Sequence, residues 1–329
     1  METLYHYIWN ITLPIMTISG FTMVRNATRL YYPVKESILS ILPLVDEFVV
    51  ALGNCDEGDT TLQEIQSISS GKIKIIHTVW DIEKFPGGSE YAHQTDIAKN
   101  HCKGDWLFYL QSDEVVHEKY LPEIRNMCEK FLNTKEVEGL LFKYRHFWGD
   151  YSHYIVSHAW YPKEIRIIRN DAEIHSWRDA QSFRRIPGFD GIHYFQKTHT
   201  YKLRVAATDA EIFHYGWVRP PVMMQRKRVS FETHKHGEGK AKAAFMQEPD
   251  EFNYGRIDKL KKFAGTHPAV MSDFIKKFNW QNELYPFNRN IKKHKHDKLK
   301  YRTLTFIEQN FLKGKQVAGF KNYELIKPV

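Results

Sequence analysis

The chain is poor in cysteine. Its three residues among 329, Cys55, Cys102 and Cys128, are too few and too scattered for a disulfide framework or a thiolate zinc site. They read as small buried hydrophobes in a reducing compartment. No window approaches the roughly 18 uninterrupted apolar residues of a membrane span, and no basic segment at the start leads into an apolar run with a cleavage site. Neither a span nor a secretory leader is expected, which points to a cytoplasmic protein, soluble or peripheral at the inner membrane face. Internal repeats and low-complexity linkers are also lacking. No glycine follows the first strand-like segment, where VRNATRL stands at 24–30. That argues against a nucleotidyltransferase, which normally begins with a glycine-rich triphosphate cradle.

What is present is globular in kind. Hydrophobic residues at 42% and charged residues at 26% are ordinary for a globular protein, and 329 residues can hold one large α/β core with an extension or two modest domains. Aromatics reach 14%, and Trp148, Tyr151, Trp160, Tyr161, Trp177 and Trp217 crowd the middle third. Sugars stack on such rings, although core packing is the commoner role of any single one. The net charge of +8 is uneven, with Lys292, Lys293, Lys295, Lys298, Lys300 and Arg302 set against one acid, Asp297. That run reads either as a solvated helix face or as a contact for an anionic membrane surface. A specific nucleic-acid role is not expected; it would show as affinity falling steeply with salt.

The first half alternates strand-like and helix-like segments. Strands are expected over 15–24, 47–52 (EFVVAL), 72–79 (KIKIIHTV) and 105–110 (DWLFYL), with helices over 34–42, 60–68 and 91–101. Such alternation predicts a mainly parallel sheet with helices on both faces. Ligands then sit beyond the carboxyl ends of the strands, at Arg25-Asn26, Gly53-Asn54, Trp80-Asp81 and Gln111–Glu114. From 142 to 215 the pattern breaks into short strand-like pieces, among them EIRIIR, an alternating strand whose Arg166 and Arg169 are expected to face water. Beyond Pro220-Pro221 the chain is Lys-rich and helix-prone over 223–235, 256–263 and 270–278. The expected division is a nucleotide-binding and catalytic domain over 1–220 and a basic, mainly helical extension over 221–329.

The sharpest local signal is GDWLFYLQSDEVV at 104–116, an apolar strand running into acids. Buried acids need partners, and oxygen ligands suit Mg²⁺ or Mn²⁺, which would bridge a nucleoside diphosphate. A helix cap by Ser112 or Asp113 is the plainer alternative.

These segments resemble the family 2 glycosyltransferases of the GT-A fold, a Rossmann-like arrangement, over roughly residues 15–220. ISGFTMVRNATRL resembles the first strand and its Asn-containing turn. SILPLVDEFVVALGNCDEGDTT resembles the second strand and its acidic turn, GGSEYAHQTDIAKNHCKGDW the helix before the metal-motif strand, and QSDEV the place of the Asp-x-Asp motif. The resemblance implies transfer of a sugar from a nucleoside diphosphate sugar, by default a UDP-sugar with GDP the alternative, to a hydroxyl with inversion. It implies a carbohydrate or glycolipid acceptor, as in surface polysaccharide or glycolipid synthesis. Donor contacts would come from Arg25, Asn26, Asn54, Asp81, Gln94, Gln111 and Ser112, and Mn²⁺ or Mg²⁺ would be held by Asp113 and by His214 after the last core strand. Asp179 in HSWRDAQSF would be the general base, with Glu173 and Asp190 in reserve. His146, Trp148 and Tyr151 would face the acceptor. Two departures bear on the charge offered to a cation: Gln111 stands where the family has an acid, and so does Gly53-Asn54. A non-catalytic binding module on the same sheet is the rival; metal-dependent binding of a nucleoside diphosphate would separate the two.

Overall fold

The computed structural model describes residues 16–246, 248–284, 293–319 and 321–326; Lys292 lies outside them. In chain order the strands are β1 (Ile18–Val24), β2 (Glu47–Leu52), β3 (Ile73–His77), β4 (Trp106–Tyr109), β5 (Glu114–Val116), β6 (Gly139–Trp148), β7 (His153–Ile155), β8 (Lys163–Arg169), β9 (Ile174–Trp177), β10 (Ser182–Arg185), β11 (Tyr201–Trp217), β12 (Lys261–Lys262) and β13 (Tyr323–Leu325). The helices are α1 (Val34–Ile41), α2 (Thr61–Gln66), α3 (Ser89–Asn100), α4 (Leu121–Phe131), α5 (Pro221–His236), α6 (Glu238–Phe245), α7 (Ser272–Lys276), α8 (Gln281–Leu284) and α9 (Leu299–Phe311).

Alternating βα units make the first part of the sheet parallel. β2 pairs with β1 and β3, and β1 with β4, all in parallel. The sheet continues β4-β8-β6-β11-β10-β9, with β8 antiparallel to both of its neighbours and β6 parallel to β11. This is the α/β, Rossmann-like sheet flanked by helices that the sequence predicts. β2 is buried on both faces, so it reads as an unbroken apolar run. Its Phe48 and Val50 pack under α1 and α2, and Val49 and Ala51 under α3. A third cluster, mostly aromatic, joins the ends of β6 and β11 to the extension through Phe147, Trp148, Tyr215, Tyr254 and Trp280. Cys102 and Cys128 are buried and all three thiols are free. Among the described residues no helix is long and apolar enough to cross a membrane.

Three local expectations are corrected. The stretch 142–215 is not only short pieces, because β11 runs for 17 residues beside the ten of β6, with register shifts that absorb its polar interruptions. The segment 256–263 is not a helix. Ile257, fully buried against Gly149, fixes a single 3₁₀ turn, and β12 then pairs with β7. Arg166 and Arg169 do not face water, since β8 is an interior strand. Arg166 is fully buried against Glu114, and Arg169 donates to the carbonyls of Phe131, Thr134 and Val137 at the end of α4.

Candidate functional site

β1 and β4 deliver their carboxyl ends side by side, where the order of connection reverses. A pocket of about 350 Å³ opens there, a size suited to a small-molecule ligand. Arg25, Asn26, Gln111, Ser112, Asp113, Asp179 and His214 all line it. Asn54, Asp81, Gln94, His146, Trp148 and Tyr151 do not.

The far end of the pocket is built by the loops after β1, β2 and β3. Asn26 sits at φ 55° and accepts the Asp56 N–H through its Oδ1, while Arg25 pairs with Asp56 at 3.0 Å and donates to the Asn54 carbonyl. Asn54 acts one step back, its Oδ1 accepting the Trp80 backbone N–H. That contact lays the Trp80 indole on Gly53. A Cβ at Gly53 would stand 2.3 Å from the indole nitrogen, so only glycine admits the ring. The indole N–H of Trp80 is buried with no partner among the described residues. Asp81 is exposed and accepts the Lys84 N–H. Gln94 is buried behind the wall and donates to Glu90.

At the near end, the acids that follow β4 part company. Glu114 turns inward and takes two bonds of 2.7 Å from Arg166 and one of 2.7 Å from the Tyr144 hydroxyl. Asp113 turns to the pocket. Its Oδ2 lies 3.1 Å from the Lys227 ammonium and 3.7 Å from His214 Nε2. Burial alone would raise the Asp113 carboxyl, but Lys227, then His214 and Arg219, hold it well below the usual carboxylate range. Burial and the neighbouring Arg219 lower the Lys227 ammonium to about 8. The pair is ionised at neutral pH. Arg219 is itself fully buried and lies 4.5 Å over the Tyr32 ring.

The state of His214 follows from its neighbours. His146 Nε2 meets the Tyr161 carbonyl at 2.8 Å, so that nitrogen carries the proton. Burial pushes His146 down to about 3 and His214 down to about 4, so both rings are neutral. His146 Nδ1 is therefore bare and accepts the proton of His214 Nδ1 at 3.0 Å. His214 Nε2 is left with a lone pair facing the Asp113 carboxylate. A Cβ on Gly216 would come within 2.5 Å of both atoms. Two acceptors held face to face require a positive charge nearby.

A divalent ion and the Lys227 ammonium are the two candidates. Among the described residues no three His, Cys, Asp or Glu side chains converge as a metal cage. Asp113 and His214 offer two ligand side chains, and Asp113 Oδ2 is already ion-paired. A divalent ion about 4 Å from the ammonium would meet a repulsion of roughly 8 kcal/mol at an effective dielectric constant of about 20. As they stand, these residues do not fit a resident divalent cation.

Asp179 faces the pocket from the turn between β9 and β10, half-buried, and its carboxylate has no hydrogen bond or ion pair among the described residues. Both its neighbours, Arg178 and Ala180, have positive φ, 58° and 60°. Gln111 donates to the Ala180 carbonyl at 3.2 Å and Arg166 to the Gln181 carbonyl at 3.0 Å, tying this turn to the end of β4. Glu173 is bound to Arg185 and Asp190 to His193, both outside the pocket. Tyr151 is packed in the aromatic core, while Trp148, also buried, borders a second pocket that shares Trp160, Tyr161 and Trp217 with the first.

The helix expected over 223–235 is α5, but its part in the site was not foreseen. Lys227, Ser230, Phe231 and His234 line the pocket at the spacing of one helix face. His234 holds the helix in place, with Nε2 3.4 Å from Arg25 Nη1 and Nδ1 2.9 Å from the Tyr91 hydroxyl. That spacing was the available signal, hidden in a segment otherwise read as basic.

No protein-family profile and no curated protein matches the chain. Solved structures resemble it distantly. S. aureus TarS gives a TM-score of 0.38 at 12% identity, covering 70% of this chain and 43% of that one. S. aureus TarS 1–349 in complex with UDP gives 0.36 at 14%, covering 69% and 68%. Glucosyl-3-phosphoglycerate synthase from Mycobacterium tuberculosis, with Mn²⁺, UDP-Glc and phosphoglyceric acid, gives 0.28 at 20%, covering 40% and 44%. The chain spans less than half the length of the first and the third.

Proposed function

We propose that the protein is a glycosyltransferase that takes a sugar from a nucleoside diphosphate sugar, by default a UDP-sugar, and passes it to a hydroxyl with inversion. One observation carries the reading: a carboxylate without partners, Asp179, and a cationic corner at Asp113 border the same pocket at the strand ends. In this reading the nucleoside lies against Trp80 and Arg25. The diphosphate reaches the corner formed by Asp113, His214 and Lys227. Asp179 accepts the proton of the acceptor hydroxyl as its oxygen attacks the anomeric carbon, and the bond from that carbon to the diphosphate breaks. The acceptor, a carbohydrate or glycolipid, enters past Trp160 and Trp217, where the two pockets meet. Residues 1–220 form the donor-binding and catalytic unit, closed by α5 from the extension.

The extension suits an anionic membrane surface. On α9, Leu299, Phe306 and Phe311 are 78%, 60% and 71% exposed, and Lys298, Lys300, Lys313 and Lys315 around them are exposed as well.

The test is a thermal-shift series with UDP, GDP, CDP and dTDP, since ligand binding to the native state raises the melting temperature. A paired measurement of donor affinity and turnover on Asp179→Asn follows. Turnover should fall roughly 10²- to 10⁴-fold with affinity little changed. Joint loss of affinity and rate would move Asp179 to the donor site. Nucleotide binding with no transfer to any acceptor would favour the rival, a non-catalytic binding protein.

A further inference from the structure

The leaving diphosphate needs a positive charge at the Asp113 corner. We propose that the ammonium of Lys227, and not a resident divalent ion, is the cation that receives the donor's diphosphate. The inference rests on the donor-binding reading above and deepens it.

Three observations converge on Lys227. The first is placement. Its nitrogen lies 3.1 Å from Asp113 Oδ2 and 2.8 Å from the Gly216 carbonyl, with the rings of Tyr32 and Trp217 at 5.0 and 5.8 Å. An ammonium has three protons to donate. Two are engaged by these acceptors, which leaves one for a ligand in the pocket that Lys227 lines.

The second observation is the balance of charge. Glu114 and Arg166 cancel in their own buried pair. What remains around the corner is one carboxylate, Asp113, against Lys227 and the buried Arg219. The corner is net positive before any ligand arrives. It favours an anion over a second cation.

The third is the residue two positions before Asp113. Gln111 offers an amide, and its Nε2 is turned to the Ala180 carbonyl, so this position brings no second carboxylate to hold a metal. In this arrangement Asp113 and the Gly216 carbonyl hold Lys227 at the phosphates, while His214, fixed by the His146 relay, packs against the same carboxylate. Lys227 is thus a binding residue, and Asp113 a positioning residue acting through it.

Calorimetric titration of UDP and GDP, and of uridine and guanosine, into the full chain with EDTA or with Mn²⁺ tests this. The native protein should bind one of the diphosphates in EDTA with an affinity within about threefold of that in Mn²⁺. It should bind that diphosphate well above its nucleoside. Lys227→Met should weaken the diphosphate by about 10- to 100-fold, the worth of a charge-assisted hydrogen bond, and leave the nucleoside unchanged. Lys227→Arg should recover part of the loss. Diphosphate binding by the native protein that vanishes in EDTA and returns with Mn²⁺ overturns the proposal without need of a variant. So does a well-folded Lys227→Met that binds the diphosphate normally. If neither diphosphate binds under either condition but CDP or dTDP does, the same arms are read with that nucleotide. If none of the four binds, the donor reading itself falls and this inference falls with it.

Discussion

The pocket has two walls built on different principles. The strand-end wall carries Gln111, Asp113 and the Asp179 turn, and is pinned from behind by Arg166, which holds both Glu114 and the Gln181 carbonyl. The helix wall, α5, comes from beyond the Pro-Pro step and is held at its far end by His234. The first is anchored in the core of the sheet and yields only when the sheet does. The second is docked through a few side chains, so it can open locally. Asp113 and the Asp179 turn stand on the first, while Lys227, Ser230, Phe231 and His234 line the pocket from the second.

The largest effect should come from breaking the strand-end wall. Arg166→Ala leaves Glu114 as an uncompensated buried charge and should cost about 3–5 kcal/mol of global stability, read from the urea midpoint. A change below 1 kcal/mol would mean that the wall does not depend on this pair.

Acid should act next, and on the helix wall. Burial, then the neighbouring Arg25, lowers His234 to about 4, with Asp56 opposing. Arginine only donates, so His234 Nε2 is the acceptor and Nδ1 carries the proton shared with Tyr91. Since its pKa is lower folded than unfolded, the unfolded or undocked chain takes up the proton first as the pH falls. The latch is therefore whole above about 6.5, the ordinary histidine value, and is lost progressively towards 4. Hydrogen exchange in α5 should accelerate over that window while β4 and β8 stay protected. Equal acceleration in both would erase the distinction between the walls.

The smallest effect should come from Tyr91→Phe, which removes one hydrogen bond of about 1 kcal/mol. Opening of α5 should become about fivefold more frequent, with the urea midpoint nearly unmoved.

How much could be read from the chain follows the same divide. β2 was legible to the residue because a strand buried on both faces is a plain apolar run. α1 and α3 were legible to within a few residues; α1 shows one apolar face, whereas α3 buries Glu90, Gln94, Thr95 and Asp96 beside its alanines and is marked by its place in the βα alternation. Asp113 follows a strand end, where ligand contacts concentrate; His214, which stands within β11, and Asp179, in the turn between β9 and β10, were brought to the same place by the family resemblance. Arg166 was misread because alternation with isoleucine looks the same whether the second face meets water or a buried carboxylate. Lys227 was invisible, being one of 47 basic residues in the chain, and only the tertiary docking of α5 distinguishes it. Asp81 and Gln94 occupy plausible positions in the order of elements, yet Asp81 is exposed and bonded to the Lys84 N–H, and Gln94 is buried against Glu90, so neither lines the pocket.

The turn that carries Asp179 has one more consequence. Two residues without glycine's freedom, Arg178 and Ala180, hold left-handed backbone on either side of it, at a cost of about 1–3 kcal/mol each. That strain is sustained by core anchors: Ala180 is fully buried, its carbonyl is tied to Gln111, and the next carbonyl is tied to Arg166. The Asp179 carboxylate is thus aimed by the main chain, without any side-chain tether. In the proposed transfer both oxygens of Asp179 are open to the acceptor's proton, since no described residue bonds to them, and the direction of the carboxylate does not depend on whether it is charged.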